Sequence, residues 1–268
     1  MALKQRVVEL KPKSGSVRTV ASVRQKGIYL LPNLLTTGAL FCGFYAVLSG
    51  FSGQYEWACM AIFAALLFDG LDGRVARMTN TESDFGVQYD SLSDMVSFGV
   101  APAVVAYGWG LDVLGKFGLA AAFVFASCAA LRLARFNVQS DGADKKHFTG
   151  LPSPVAAALV AGFVWSTYPL NMSPSLITLG AVMTAVAGLL MVSNLSYPSF
   201  KDIDFRGRVP FFVILSVVMG FVIITIDPPR ILFTIALVFS FSAPLRWIWT
   251  RFRGSGKAES PDTAVERH

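Results

Sequence analysis

Eight stretches of this chain are apolar over lengths close to the span of a bilayer, and that confines the backbone to very few structures. Lipid offers no partner for a free N–H or C=O, so a spanning segment must satisfy its own hydrogen bonds as a helix or join a closed barrel. The stretches lie at roughly 30–50, 56–76, 88–109, 114–136, 153–168, 174–193, 209–226 and 230–249, against the requirement of about 20 residues per crossing. Four of the gaps are short, FSGQY, GLDVLG, LNMSP and DPP. The expected fold class is all-α, a polytopic membrane helical bundle of about eight transmembrane helices. With 54% hydrophobic and 15% charged residues among 268, the composition excludes an ordinary soluble domain.

The basic residues are distributed unevenly between the two ends of these helices. If the chain crosses eight times, 21 of the 23 lysines and arginines fall on one side, and only Lys116 and Arg230 lie opposite. The positive-inside rule then places both termini in the cytoplasm. The net charge of +6 reads as topology and attraction to anionic membrane lipids, with no nucleic-acid partner expected. Three regions follow: a basic cytoplasmic N-terminal segment at 1–28, a transmembrane catalytic domain at 29–250, and a polar cytoplasmic tail at 251–268 expected to be disordered. The apolar stretch after Lys26 has no small-residue cleavage site and reads as a retained first helix, with no cleaved signal peptide. Cys42, Cys59 and Cys128 all lie inside apolar stretches, which supports neither a disulfide framework nor a thiolate metal site. His147 and His268 are the only histidines, which argues against imidazole catalysis and zinc.

Four aspartates break the apolar pattern. Asp69 and Asp72 fall in DGLDGRVAR and, after eight residues, Asp90 and Asp94 fall in GVQYDSLSD, which together read DxxDGxxAR(x8)GxxxDxxxD. A charge at the centre of a lipid-facing helix costs roughly 2.5 to 3.5 kcal/mol on insertion scales, so these groups must face a polar cavity, a cation, or both. Spacings of three and four put each pair on one helical face. Such a density of hard oxygen donors suits Mg2+ or Mn2+, and two ions sharing carboxylates are a common arrangement for phosphoryl chemistry. Gly73, Ala76 and Gly86 leave room for a diphosphate or a base to approach the backbone, and Arg77 is the natural phosphate clamp. Two other readings compete. Aspartates are common at solvated helix ends, and intramembrane carboxylates also mark the ion paths of transporters. The second lacks a broken-helix pair or an inverted repeat, and the cluster sits at the membrane boundary instead of the midplane. A non-catalytic scaffold is the third class.

At Asp69, Asp72, Gly73, Ala76, Arg77, Gly86, Asp90 and Asp94 the sequence resembles the CDP-alcohol phosphotransferase family, whose signature it matches at every position. The resemblance implies that family's helical membrane fold, a divalent metal requirement, and transfer of a phosphatidyl-type group from a CDP-linked lipid to an alcohol with release of CMP. It further implies that Asp69, Asp72 and Asp90 hold metal, that Asp94 completes a second metal site and acts as general base, and that Gly73, Ala76, Arg77 and Gly86 form the CDP pocket. A homodimer is implied as well. The stretches PNLLTTGALFCGFYAV, QYDSLSDMVSFGVAPA, LRLARFNV, FTGLPSPVAA and FKDIDFRGRVPF are similar to the integral-membrane phosphatidylserine synthases of bacteria and archaea within that family. That branch implies CDP-diacylglycerol as donor and L-serine as acceptor. The alternative is a sibling enzyme using glycerol-3-phosphate or inositol phosphate, whose acceptors would call for more basic residues.

Other residues have two readings each. The resemblance places Asn33 and Thr36 near CDP, while Asn33 after Pro32 also reads as a helix N-cap. Arg132 and Arg135 are candidates to hold an acceptor carboxylate, or positive-inside anchors snorkelling to headgroups. Lys145, Lys146, Lys201, Arg206 and Arg208 read as solvated loop charge, or as lipid-phosphate contacts at the pocket entrance. Ser91 and Ser93 flank the third and fourth aspartates, as supporting donors or as passive neighbours.

Overall fold

The computed structural model describes residues 18–79, 81, 83–139, 148–168, 170, 172–197 and 211–254. Most of the basic segment 1–28, the tail beyond 254, and Lys145, Lys146, His147, Lys201, Arg206, Arg208 and His268 lie outside the described residues. Helix α1 (Arg18–Phe51) is followed by α2 (Tyr55–Thr79). The next helical run is continuous but changes character twice: α3 (Asp84–Asp94), a π-helical turn (Met95–Val100) and α4 (Ala101–Trp109). A short 3-10 turn (Leu111–Leu114) leads into α5 (Lys116–Gln139). Then come β1 (Phe148–Thr149), α6 (Ser153–Thr167), α7 (Pro174–Val192), β2 (Ser196–Tyr197), α8 (Phe211–Ile226) and α9 (Pro228–Gly254). Taking α3 to α4 as one run, the described residues form eight long helical runs in the order and at nearly the positions expected. The two strands form a two-residue antiparallel ladder, Phe148 opposite Tyr197 and Thr149 opposite Ser196.

One boundary differs. The first helix begins at Arg18 and runs straight through Pro32, so Asn33 lies inside a helix and is not its N-cap. The polar stretch RTVASVRQKG is rich in good helix formers; its polarity marks a change of surroundings, not the start of the helix. The Pro32 carbonyl accepts a hydrogen bond from the Thr36 hydroxyl at 3.1 Å.

Leu31–Phe51, Lys116–Val138, Pro174–Val192 and Pro228–Trp247 are long and apolar enough to cross a membrane by length and composition alone. α6 is apolar but only 15 residues long, about 22 Å at 1.5 Å per residue. Large apolar side chains on the outside of the bundle, among them Phe44, Phe117, Phe123, Leu179 and Phe221, are exposed, as a lipid-facing surface requires. The chain is an integral membrane protein.

Inside lipid the hydrophobic effect does not draw helices together, so close packing must. α1 lies along α2, α5 along α7 and α6 along α9, and α1 also packs against the α3–α4 run. Small residues sit at the crossings. A methyl group placed on Gly43 would come within 2.7 Å of the Ser97 Cα, on Gly162 within 2.9 Å of the Phe233 Cα, and on Gly188 within 2.9 Å of the Phe125 Cα. Hydroxyls supplement the packing: Ser93 donates to the Thr36 carbonyl at 3.1 Å and Ser97 donates to the Ala39 carbonyl at 3.0 Å. These bonds clamp the middle of the third helical run onto α1. Overpacking a tight contact costs typically 1–3 kcal/mol. Gly162→Leu is therefore expected to lower the unfolding temperature of the detergent-solubilised protein by several degrees, read by a thermal-shift scan, whereas Gly220→Leu, with nothing within 4 Å of a Cβ at that position, is expected to leave it unchanged.

Candidate active site

α2 ends and α3 begins within five residues of each other, and this tight reversal turns their carboxylate faces together. Ser83 sets the start of α3: its side chain, in an extended N-cap residue, accepts from the Gly86 N–H at 3.1 Å. That bond leaves Asp90 one helical turn beyond Gly86, facing α2. Asp69, Asp72 and Asp90 each present a carboxylate oxygen, and the three oxygens lie within 4.8 Å of one another. Asp94, a further turn along α3, lies close enough to Asp69 for the two carboxyls to interact.

The cluster has little internal compensation. Asp72 is buried and accepts from the Thr36 hydroxyl at 2.8 Å. Among the described residues no Lys or Arg forms an ion pair within 4.0 Å with any of the four aspartates; Arg230 with Asp227 is the pair found there. Two unit charges 4.8 Å apart repel by about 3.5 kcal/mol at an effective dielectric of about 20. Three ionised carboxylates at that spacing call for a cation, and an all-oxygen donor set fits a hard divalent ion.

The cluster has two distinct faces. On one side an open cavity of about 180 Å3 is lined by Pro32, Asn33 and Thr36 of α1, Asp72, Gly73 and Ala76 of α2, Thr81 and Ser83 of the turn, and Gly86, Val87 and Asp90 of α3. It is smaller than the roughly 300 Å3 of a site that engulfs a drug-sized ligand, so it suits one polar portion of a larger molecule. Gly73 borders this cavity, yet a Cβ built on it would meet nothing within 4 Å. The glycine is therefore not demanded by protein packing; it keeps space open. Gly86 is different, since a Cβ there would stand 3.2 Å from the Ser83 Oγ and 3.6 Å from the Asn33 Oδ1, and the bare backbone lets those two polar groups converge.

On the other side stands Arg132 of α5, close enough to act electrostatically on Asp69 and Asp94. Its Nη1 donates to the Ser153 Oγ at 2.6 Å. Arg135, one turn along α5, instead places both Nη1 and Nη2 on the Asn194 Oδ1 at 3.2 Å, nearer the surface. Arg77 is exposed, with its Nε donating to the Gly73 carbonyl at 2.8 Å, and it does not line the cavity. Ser91 donates to the Asn137 Oδ1 at 3.1 Å, a brace between α3 and α5. Thr81 and Ser83 line the cavity unannounced by the aspartate spacing. Ser83 followed by Asp84 is nonetheless an N-cap signal, and it marks the place where α3 turns its face inward.

Carboxylates brought together by the second and third helical runs, beside a small cavity in a membrane bundle, fit a membrane enzyme of metal-assisted phosphoryl chemistry. The chain belongs to the CDP-alcohol phosphatidyltransferase family, whose sequence profile it matches over residues 29–192. It is 36% identical over 225 residues to the CDP-diacylglycerol--serine O-phosphatidyltransferase of Helicobacter pylori strain J99, covering 83% of this chain and 92% of that protein. It is 33% identical over 171 residues to the Bacillus subtilis protein of the same name, covering 64% and 91%. It is 39% identical over 170 residues to the archaetidylserine synthase of Methanothermobacter thermautotrophicus, covering 63% and 69%.

Two outcomes follow from the geometry. Losing a partner that orients a metal ligand typically weakens metal binding 10- to 100-fold, so Thr36→Val is expected to reduce Mn2+ affinity by about that factor in an electron paramagnetic resonance titration. Gly73→Val fills space that the protein itself leaves open; it is expected to leave the unfolding temperature unchanged and, on the reading of this cavity as a nucleotide pocket proposed below, to weaken binding of cytidine diphosphate in a titration.

Proposed function

We propose that this chain transfers the phosphatidyl group of CDP-diacylglycerol to the hydroxyl of L-serine, giving phosphatidylserine and CMP. The observation that carries this reading is the two-faced carboxylate cluster. A cavity edged by carboxylate and hydroxyl groups, with an open glycine, lies on one face, and the half-buried guanidinium of Arg132, fit to receive a carboxylate, lies toward the other. The names of the relatives from Helicobacter pylori and Bacillus subtilis support the choice of donor and acceptor. The alternative acceptors, glycerol-3-phosphate and inositol phosphate, bring a dianionic phosphate, for which Arg132, with Arg135 already engaged on Asn194, is a sparse partner.

In this reading Asp69, Asp72, Asp90 and Asp94 hold two divalent ions, Mg2+ or Mn2+. Bound there, the ions offset the charge of the diphosphate as the phosphorus is attacked. Thr36 holds Asp72 in place. Asn33, Gly73, Ala76 and Gly86 receive the cytidine diphosphate portion, with Arg77 at the rim as a phosphate contact. Arg132 takes the serine carboxylate, assisted by Arg135, and so brings the serine hydroxyl toward Asp94. Asp94 accepts the hydroxyl proton; the serine oxygen forms a bond to the β-phosphorus as the bond to CMP breaks. The acyl chains stay in the bilayer throughout.

The predominance of basic residues on one side supports a site and termini facing the cytoplasm of the cell membrane, where soluble serine and CMP exchange freely. A homodimer is the assembly that the family likeness implies. The test is release of CMP from CDP-diacylglycerol in detergent micelles, with a panel of alcohols as acceptor. CMP release is expected only when serine and Mn2+ or Mg2+ are both present, and equal release with glycerol-3-phosphate would overturn the acceptor assignment. Asp94→Asn is expected to reduce turnover by at least about a hundredfold while CDP-diacylglycerol still binds; retained turnover would remove Asp94 from its role.

A further inference from the structure

Ser153 is fully buried at the first turn of α6, yet its hydroxyl serves no capping role. The N-cap of α6 is Pro152, and no side-chain cap bond is made there. The hydroxyl oxygen instead accepts from Arg132 Nη1 at 2.6 Å. A guanidinium carries five N–H donors in a rigid fork. Among the described residues Arg132 has this one hydrogen bond and no ion pair within 4.0 Å, although Asp69 and Asp94 act on it electrostatically. Ser153 is thus the fixed point from which the guanidinium is aimed.

That point is itself firmly held. The Gly150 N–H donates to the Leu195 carbonyl at 2.8 Å and the Leu151 N–H donates to the Leu190 carbonyl at 2.9 Å. The β1–β2 ladder lies directly before these bonds. Gly150 adopts φ +89°, and a Cβ there would come within 2.2 Å of the Met191 carbonyl oxygen, so the chain passes tightly over the end of α7 before entering α6. A flexible arginine stem gains directional force only from a partner fixed in this way.

We infer that Ser153 is a positioning residue for acceptor selection: it fixes the Arg132 guanidinium beside Asp69 and Asp94, so that a carboxylate-bearing alcohol is held with its hydroxyl at Asp94. The inference rests on the reading of Arg132 as the acceptor's cation, proposed above. Ser153 does not touch the acceptor; it acts through Arg132.

The test is steady-state kinetics of the full chain in CDP-diacylglycerol mixed micelles for Ser153→Ala, Ser153→Thr, Arg132→Gln and the Ser153→Ala/Arg132→Gln double variant. A hydrogen bond to a charged group predicts that Ser153→Ala raises the serine KM about tenfold, with kcat and the CDP-diacylglycerol KM within about twofold of the parent. Ser153→Thr keeps the hydroxyl and is expected to restore the serine KM. The double variant is expected to be no worse than Arg132→Gln alone, because residues acting as one unit are not additive. A serine KM raised by Arg132→Gln but not by Ser153→Ala overturns the positioning role and leaves the reading of Arg132 standing. A serine KM raised by neither overturns both. Multiplying effects, or a loss confined to kcat and unfolding temperature, assign the bond to packing alone and overturn the inference. Should Ser153→Ala fail to accumulate, Ser153→Cys, with nearly the same volume and a much weaker acceptor, gives the same comparison.

Discussion

Mutual repulsion among carboxylates is the constraint on which the rest of this structure depends. Asp69, Asp72 and Asp90 are held with oxygens inside 4.8 Å of each other, beside an open cavity and without a basic side chain in ion-pair range among the described residues. Helices free to choose would splay at this point. They are kept from doing so by contacts elsewhere: Ser93 and Ser97 bond to α1 carbonyls, Gly43 lets Ser97 approach closely, and Ser83 stops the chain short so that α3 starts in register. The packing of the bundle holds an arrangement that its own charges oppose, and the opposing charge is what makes the site receptive to cations.

The cluster also divides the labour between two sets of residues. Asp72 and Asp90 border the cavity with Thr36, Gly73 and Gly86, whereas Asp69 and Asp94 lie toward Arg132. In the proposed reading a lipid-linked nucleotide meets the open hollow edged by carboxylates and a small hydroxylated acid meets the guanidinium held by Ser153.

Much of this was legible in the sequence, for identifiable reasons. Helix positions were readable because apolar length is a direct consequence of bilayer thickness. The convergence of Asp69, Asp72, Asp90 and Asp94 was readable because spacings of three and four leave little choice of face. Thr81, Ser83 and Ser153 were not found, because a small hydroxylated residue gains significance only from what folds against it. Ser153 lies 21 residues beyond its partner, and no periodicity connects them. The passage of α1 through Pro32 escaped notice because the upstream turns are polar, and polarity was equated with the end of the span. Arg132 lies one turn deeper along the helix than Arg135, which already favours it as the acceptor's cation; the side-chain partners, Ser153 for one and Asn194 for the other, separate them further.

The π-helical turn after Asp94 has a consequence of its own. The Ala101 N–H reaches back five residues to the Val96 carbonyl, which adds one residue to the ordinary α-helical path and rotates everything beyond it by about 100°. The stretch carrying Asp90 and Asp94 and the stretch from Ala101 to Trp109 are therefore out of phase along one continuous rod. Each half can present its own face, the first to the carboxylates of α2 and the second to Gly50 of α1 and the core, without compromise. Substitutions that re-seat the deeper half in the bundle need not turn the reactive half, so chemistry and membrane packing can drift independently on the same helix.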